Sequence, residues 1–138
     1  MSLSALVMLG ILLSFSAHGY ANFRNDHIVV NQTNITCRDI EERRNITNDH
    51  GNCKEWNTFI HTTNERDITN LCNGRNRNRD GVLSHNTFPL TECHVTLDGA
   101  FPNCRFNQTK LKEQICVKCV NSWPVHYYSR RENITCTV

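Results

Sequence analysis

Eight cysteines constrain this 138-residue chain more than any other feature. They stand at positions 37, 53, 72, 93, 104, 116, 119 and 136, and none falls in the first 36 residues. Before them lies an almost purely apolar, uncharged run over residues 3–15, ending in the small residues Ser14, Ser16, Ala17 and Gly19. That is the pattern of a secretory signal peptide, although its first residues carry no Lys or Arg. The run is too short for a comfortable membrane span, so an anchor or a buried helix is the weaker reading. Residues 1–19 are therefore expected to be a signal peptide cut after Ser16, Ala17 or Gly19. Residues 20–138 are expected to be one secreted, extracellular domain. An even number of cysteines in such a chain reads as four disulfides, with about 105 connectivities open from the residues alone. A domain of this size also buries a core of its own, so the bridges would add to it, not replace it.

Five Asn-x-Thr sequons, at Asn31, Asn34, Asn45, Asn107 and Asn133, are N-glycan acceptors and hence expected surface positions. Fifteen Lys and Arg against thirteen Asp and Glu leave a formal charge of +2. That excludes a bulk polycation, so any nucleic-acid contact must come from local placement of charge. The length excludes a multidomain architecture and a dinucleotide-binding fold. Arg75, Arg77 and Arg79 alternate with Asn between Gly74 and Asp80. A phosphate-binding loop is one reading of that run; a solvated loop is the ordinary one, because charge runs solvate themselves.

Helices are expected early and strands late. Residues 23–30 suit a short helix with Phe23 and His27 on one face, 37–44 a charged helix, and 64–71 a third. Residues 56–63, 87–97, 105–111, 114–120 and 125–128 are rich in aromatic and β-branched residues and read as strands. Asp80-Gly81, Asp98-Gly99 and Pro102-Asn103 mark turns. Helices followed by antiparallel strands in one disulfide-bonded unit is an α+β reading.

Three strings carry chemistry. In Cys53-Lys54-Glu55-Trp56-Asn57-Thr58-Phe59, a bridged Cys would fix the backbone beside Lys54 and so preorganise a cation. In Pro124-Val125-His126-Tyr127, proline presets the backbone before a short strand that carries the histidine. His27 on the first helix is the third. These strings, in this order, resemble the pancreatic-type ribonuclease superfamily, and within it the amphibian egg ribonucleases. The Cys-Lys-x-x-Asn-Thr-Phe signature stands as Cys53, Lys54, Asn57, Thr58 and Phe59. The first histidine follows a Phe by four residues, as His27 follows Phe23, and the second is preceded by Pro-Val.

The resemblance implies short helices packed on a bent antiparallel sheet. It implies the bridges Cys37–Cys93, Cys53–Cys104, Cys72–Cys119 and Cys116–Cys136, the last with the terminal cysteine of the amphibian pattern. The rival reading of Cys116-x-x-Cys119, a redox disulfide or half a zinc site, lacks a second such pair. The resemblance further implies His27 as general base, His126 as general acid and Lys54 as the charge stabiliser of RNA transphosphorylation, with no metal and no cofactor. Thr58 would read the base 5′ to the cut, Tyr127 would pack against it, and Asn57 would order the site. Phe59 reads as core. His50, His61, His85 and His94 read as ordinary surface or core histidines.

Two departures bear on activity. Asp26, directly before His27, opposes an incoming phosphate and favours the imidazolium form, unless it points to solvent or pairs with an arginine. Arg24, one turn earlier, would offset it in part. Lys118 and Val120 stand where frog relatives carry the Thr and Glu used for a 3′ guanine, so that preference is not expected here. The expected function is a secreted, monomeric endoribonuclease cutting single-stranded RNA 3′ of pyrimidines. The alternative is a host-defence or lectin-like binding protein on the same scaffold, with cell-surface glycans as partners and weak residual activity.

Overall fold

The computed structural model describes residues 17–97 and 100–138. The expected signal segment up to residue 16 and the Asp98-Gly99 turn lie outside the described residues. The fold is α+β. Helix α1 runs through residues 17–27, followed by β1 (Ile28–Val30), α2 (Cys37–Arg43), β2 (Trp56–Thr62) and α3 (Arg66–Thr69). Then come β3 (Val82–Leu97), β4 (Arg105–Val120) and β5 (Trp123–Tyr128). The strand order is β1-β2-β3-β4-β5 in one five-stranded sheet, parallel at β1/β2 and antiparallel at β2/β3 and β4/β5. Among the described residues no helix is long and apolar enough to cross a membrane.

Three elements differ from the sequence expectation. The first helix stops at His27, because Ile28, Val29 and Val30 are β-branched and pair as a strand with Ile60, His61 and Thr62. The two strands expected over 105–111 and 114–120 are one strand, β4. The charged pair Lys112-Glu113 between them contains no turn residue to break it. β3 starts at Val82, five residues before the expected position, with Val82 and Ser84 buried in alternation.

The chain divides into two compact units. One comprises residues 25–65 and 86–114. Its core gathers Val29, Ile35, Ile40, Ile46 and Phe59 around the Cys37–Cys93 bridge. Val95 packs with the Cys53–Cys104 bridge in a smaller cluster. Helix α2 is capped at both ends. Thr36 accepts from Asp39 N at the start; at the end Asn45, at φ 56°, lets Ile46 N reach Glu41 O and Asn45 N reach Glu42 O.

The other unit comprises residues 17–24, 66–85 and 115–138, with the bridges Cys72–Cys119 and Cys116–Cys136. β4 and β5 join through a two-residue turn with positive φ at both Asn121 and Ser122, the twist that suits a tight hairpin. The Arg75–Arg79 run is a strap, hydrogen-bonded to the β4–β5 hairpin, where the sequence expectation is a solvated loop. Its backbone and Asn78 accept from Cys119 N, Asn121 N and Ser122 N, and the Arg79 side chain holds Thr137. Arg75 and Arg77 are exposed. Gly81, at φ 74°, lies so close to the C-terminal segment that a Cβ would meet Thr135 O at 2.6 Å.

One core group is out of place by composition. Glu41 on α2 is 1 % exposed, and neither carboxyl oxygen has a hydrogen-bond partner among the described residues. Burial pushes its carboxyl up from 4.5 to about 8; Lys54 pulls it back and Asp26 adds to the rise. Between those two values the folded chain keeps a proton that the unfolded chain has released. Stability therefore falls as pH rises through that window and levels off above it. Glu41→Gln removes the ionisation. Thermal unfolding at two pH values checks this: the variant should gain about 2–4 kcal/mol relative to the parent on going from pH 4.5 to pH 8. An equal effect at both pH values would contradict it.

Candidate active site

The sequence motif Lys-x-x-Asn-Thr folds into a hydrogen-bonded cluster around the start of β2. Asn57 is 3 % exposed, and both ends of its side-chain amide are used. Its Oδ1 accepts from Lys54 Nζ at 2.9 Å, and its Nδ2 donates to the Asp26 carbonyl at 2.8 Å. One buried amide thus ties the ammonium to the last turn of α1. Asn57 is a positioning residue by this geometry, since its polar atoms are taken up inside the protein.

The next residue holds the histidine. His27 Nδ1 lies 2.8 Å from the Thr58 carbonyl oxygen. A carbonyl only accepts, so Nδ1 carries the hydrogen, and in the neutral ring Nε2 is the unprotonated nitrogen. That is the tautomer a general base needs. Thr58 is itself 5 % exposed and pairs across β2/β3 with Glu92, which is 8 % exposed.

Arg44, which the sequence reading did not single out, secures the same turn of α1. Its Nη1 donates to the carbonyls of Ile28 at 2.7 Å and Asn25 at 3.0 Å, and Asn25 Nδ2 donates back to Arg44 O at 3.1 Å. A guanidinium capping the carbonyls at a helix C-terminus is favourable both as a donor and as a charge. The Asp26 carboxylate, beside this turn, has a long 3.5 Å contact from Asn25 Nδ2. It reaches the cluster through the field that Glu41 feels. Arg24 is exposed, one turn before His27 on α1.

His126 and Tyr127 stand on β5, in the other unit. Pro124 is buried, and the strand pairs with β4 so that Lys118 lies opposite His126. The imidazole has a carboxylate partner that sequence reasoning missed. Its Nε2 is 3.3 Å from Glu132 Oε1, while Glu132 Oε2 accepts from Ser129 N at 2.8 Å. The carboxylate accepts, so Nε2 carries a hydrogen and Nδ1 is the ring atom left to exchange a proton with a ligand. Both side chains are close to half exposed, so the pair orients the ring more than it stabilises the fold. Tyr128 meets the His126 ring edge-on at 4.5 Å. Its phenol donates to Asp80 Oδ1 at 2.7 Å, and burial with that acceptor pushes it up to about 12, so it stays protonated.

His61 Nδ1 faces Gln32 O at 3.1 Å, and its Nε2 lies 2.7 Å from Thr91 Oγ1. Burial holds it below the usual imidazole range, which makes it a neutral structural group. His50 and His85 are exposed, and Phe59 is fully buried in the core. The five sequon asparagines are all exposed.

The structure therefore brings His27, Lys54, Asn57 and Thr58 together in one unit and sets His126 and Tyr127 on β5 of the other. A family model described as pancreatic ribonuclease matches residues 18–128. Ribonuclease-like 3 of Danio rerio is 33 % identical over 138 residues, covering 90 % of this chain and 92 % of its own. Oocytes ribonuclease of Aquarana catesbeiana is 36 % identical over 129 residues, with the same coverage of both chains. Among solved structures, RNASE ZF-1A aligns with a TM-score of 0.74 at 30 % identity, over 87 % of this chain and 97 % of its own. RNASE ZF-3E aligns at 0.70 and 30 % identity, over 82 % and 96 %. The bridges, the sheet and these matches lead to one conclusion: the chain belongs to the pancreatic ribonuclease family and is a ribonuclease.

Proposed function

We propose that the protein is a secreted endoribonuclease that cuts single-stranded RNA on the 3′ side of pyrimidines by metal-independent transphosphorylation. The observation that carries this reading is the His27–Thr58 hydrogen bond, which leaves Nε2 of His27 as the basic atom. His27 takes the proton of the ribose 2′-hydroxyl, and the 2′-oxygen attacks the adjacent phosphorus. His126, as imidazolium, gives its proton to the departing 5′-oxygen. The products are a 2′,3′-cyclic phosphate and a free 5′-hydroxyl, and each proton-transfer role is worth about 10²–10⁴ in rate. Lys54, held by Asn57, offsets the charge that builds on the nonbridging oxygens. No step in this sequence needs a Lewis acid, because two imidazoles and an ammonium supply all three functions.

Thr58 reads the base: its hydroxyl donates or accepts, and with its N–H it matches the O2 and N3 edge of either pyrimidine. Tyr127 packs against that base. The apolar leader and the five exposed sequons support secretion and glycosylation. The binding-protein alternative has no observation of its own in its favour, since a purely binding protein has no use for a base tautomer fixed in this way.

Three outcomes follow. His126→Ala should lower cleavage of polyuridylate and polycytidylate in EDTA by about 10³-fold or more while the fold is kept. Correctly folded parent protein that leaves both polymers intact would refute the reading. Glu132→Gln should lower kcat about tenfold with KM little changed, because the imidazole loses its orienting carboxylate but no substrate contact. Asp26→Gln should raise kcat/KM by removing a carboxylate from the approach of the phosphate; an unchanged value would show that Asp26 does not oppose the substrate.

A further inference from the structure

Trp56 opens β2 and lies directly opposite His94 on β3. Their rings stack nearly parallel, 3.7 Å between centroids and 5° between planes. Both residues are partly exposed. Side chains alternate along a strand, so Trp56 and Thr58 share one face of β2, about 7 Å apart, while Asn57 and Phe59 point the other way. Burial deepens along that shared face, from the partly exposed Trp56 to Thr58 at 5 % and Ile60 at 0 %. A depression lined by Glu55, His94, Val95 and Thr96 adjoins the ring pair. The ring pair therefore lies on the same face of β2 as Thr58, at its more exposed end.

We propose that the Trp56–His94 stack is a nucleobase platform: a base of a bound single strand stacks on it beside the base that Thr58 contacts. The inference deepens the ribonuclease reading and rests on it for the base at Thr58. A flat aromatic surface takes any base, since every base has a π-face, whereas a hydroxyl reads only an edge. The pair would thus add affinity without sequence preference next to a residue that supplies the preference. His94 matters by presenting and backing the indole and needs no proton transfer. The competing role for such a pair is purely internal, as a cross-strand aromatic contact that stabilises the sheet.

Fluorescence separates the two. The chain has two tryptophans, so Trp123→Phe leaves Trp56 as its one indole. In that protein a short oligodeoxythymidylate, which lacks the 2′-hydroxyl and is not cleaved, should quench the emission saturably. An abasic strand of equal length should not. His94→Asn in the same background should weaken the apparent affinity about tenfold, and Trp56→Leu should weaken it similarly when binding is followed by the anisotropy of a labelled strand. Circular dichroism checks that each variant is folded, and His94→Asn carries the test if Trp56→Leu is not. Equal quenching by the abasic strand, or unchanged affinity in folded His94→Asn, would overturn the platform. Cleavage of polyuridylate by the Trp123→Phe protein keeps the outcomes apart: quenching without cleavage supports the platform alone, while cleavage without quenching refutes the platform and leaves the ribonuclease reading intact.

Discussion

One buried amide organises the unit of this ribonuclease that carries His27. Asn57 has no solvent to satisfy its polar atoms, so it must find protein partners, and the two it finds are Lys54 and the carbonyl of Asp26. Because β2 is extended, the next residue turns its carbonyl toward the ring of His27. The ammonium and the imidazole are thereby referred to two consecutive positions of one strand, Asn57 and Thr58. A strand held by neighbours on both sides is a stiff reference, which keeps such groups in place better than a loop would. Arg44 adds the reciprocal constraint, tying the carbonyls at the end of α1 to the end of α2.

The disulfides let a short chain hold such a site. Three of them close sequence separations of 47 to 56 residues, and in the chain-entropy account each is worth about 4 kcal/mol; the fourth, with a separation of 20, is worth about 3. Two bridges fall in each compact unit. Cys37 and Cys53 flank the segment that carries α2 and end just before Lys54, so the cation follows a cross-linked residue. This frame also carries a local loss. Glu41 is enclosed with its carboxyl unbonded, near Lys54 and Asp26, and it stays neutral at pH 7. A neutral Glu41 leaves the positive charge of Lys54 undiminished, whereas an ionised one would partly cancel it.

Much of the site was legible in the sequence because its members are close in the chain or follow a short spacing. Lys54, Asn57 and Thr58 span five positions, and the Pro-Val before His126 marks a rigid strand. What was not legible depends on how the chain turns and pairs, which short spacing does not show. Arg44 meets carbonyls 16 and 19 residues away. Glu132 reaches His126 only because the chain turns at Ser129, and Trp56 meets His94 only through strand register. The segment containing Glu41 reads as a charged helix, and nothing in its spacing marks Glu41 as buried. The apolar residue Ile40 beside it draws that face into the core. The early strand β1 was missed for a related reason: three β-branched residues after a helix have no alternation to mark them, and only pairing with β2 makes them a strand.

The sequence by itself determined the chemical inventory: an even set of cysteines, a lysine locked behind one of them, two histidines in recognisable settings, and a length sufficient for one α+β fold. These are properties of composition and short spacing. The residues alone left the bridges open among many pairings, and they were silent on which carboxyl is buried and which ring nitrogen holds its proton. Tertiary structure decided those. The packing chose Cys37 for Cys93, enclosed Glu41, and placed a carbonyl beside Nδ1 of His27 and a carboxylate beside Nε2 of His126. The physical reason is that protonation and burial follow the electrostatic surroundings of an atom, and most of those surroundings come from residues far away along the chain.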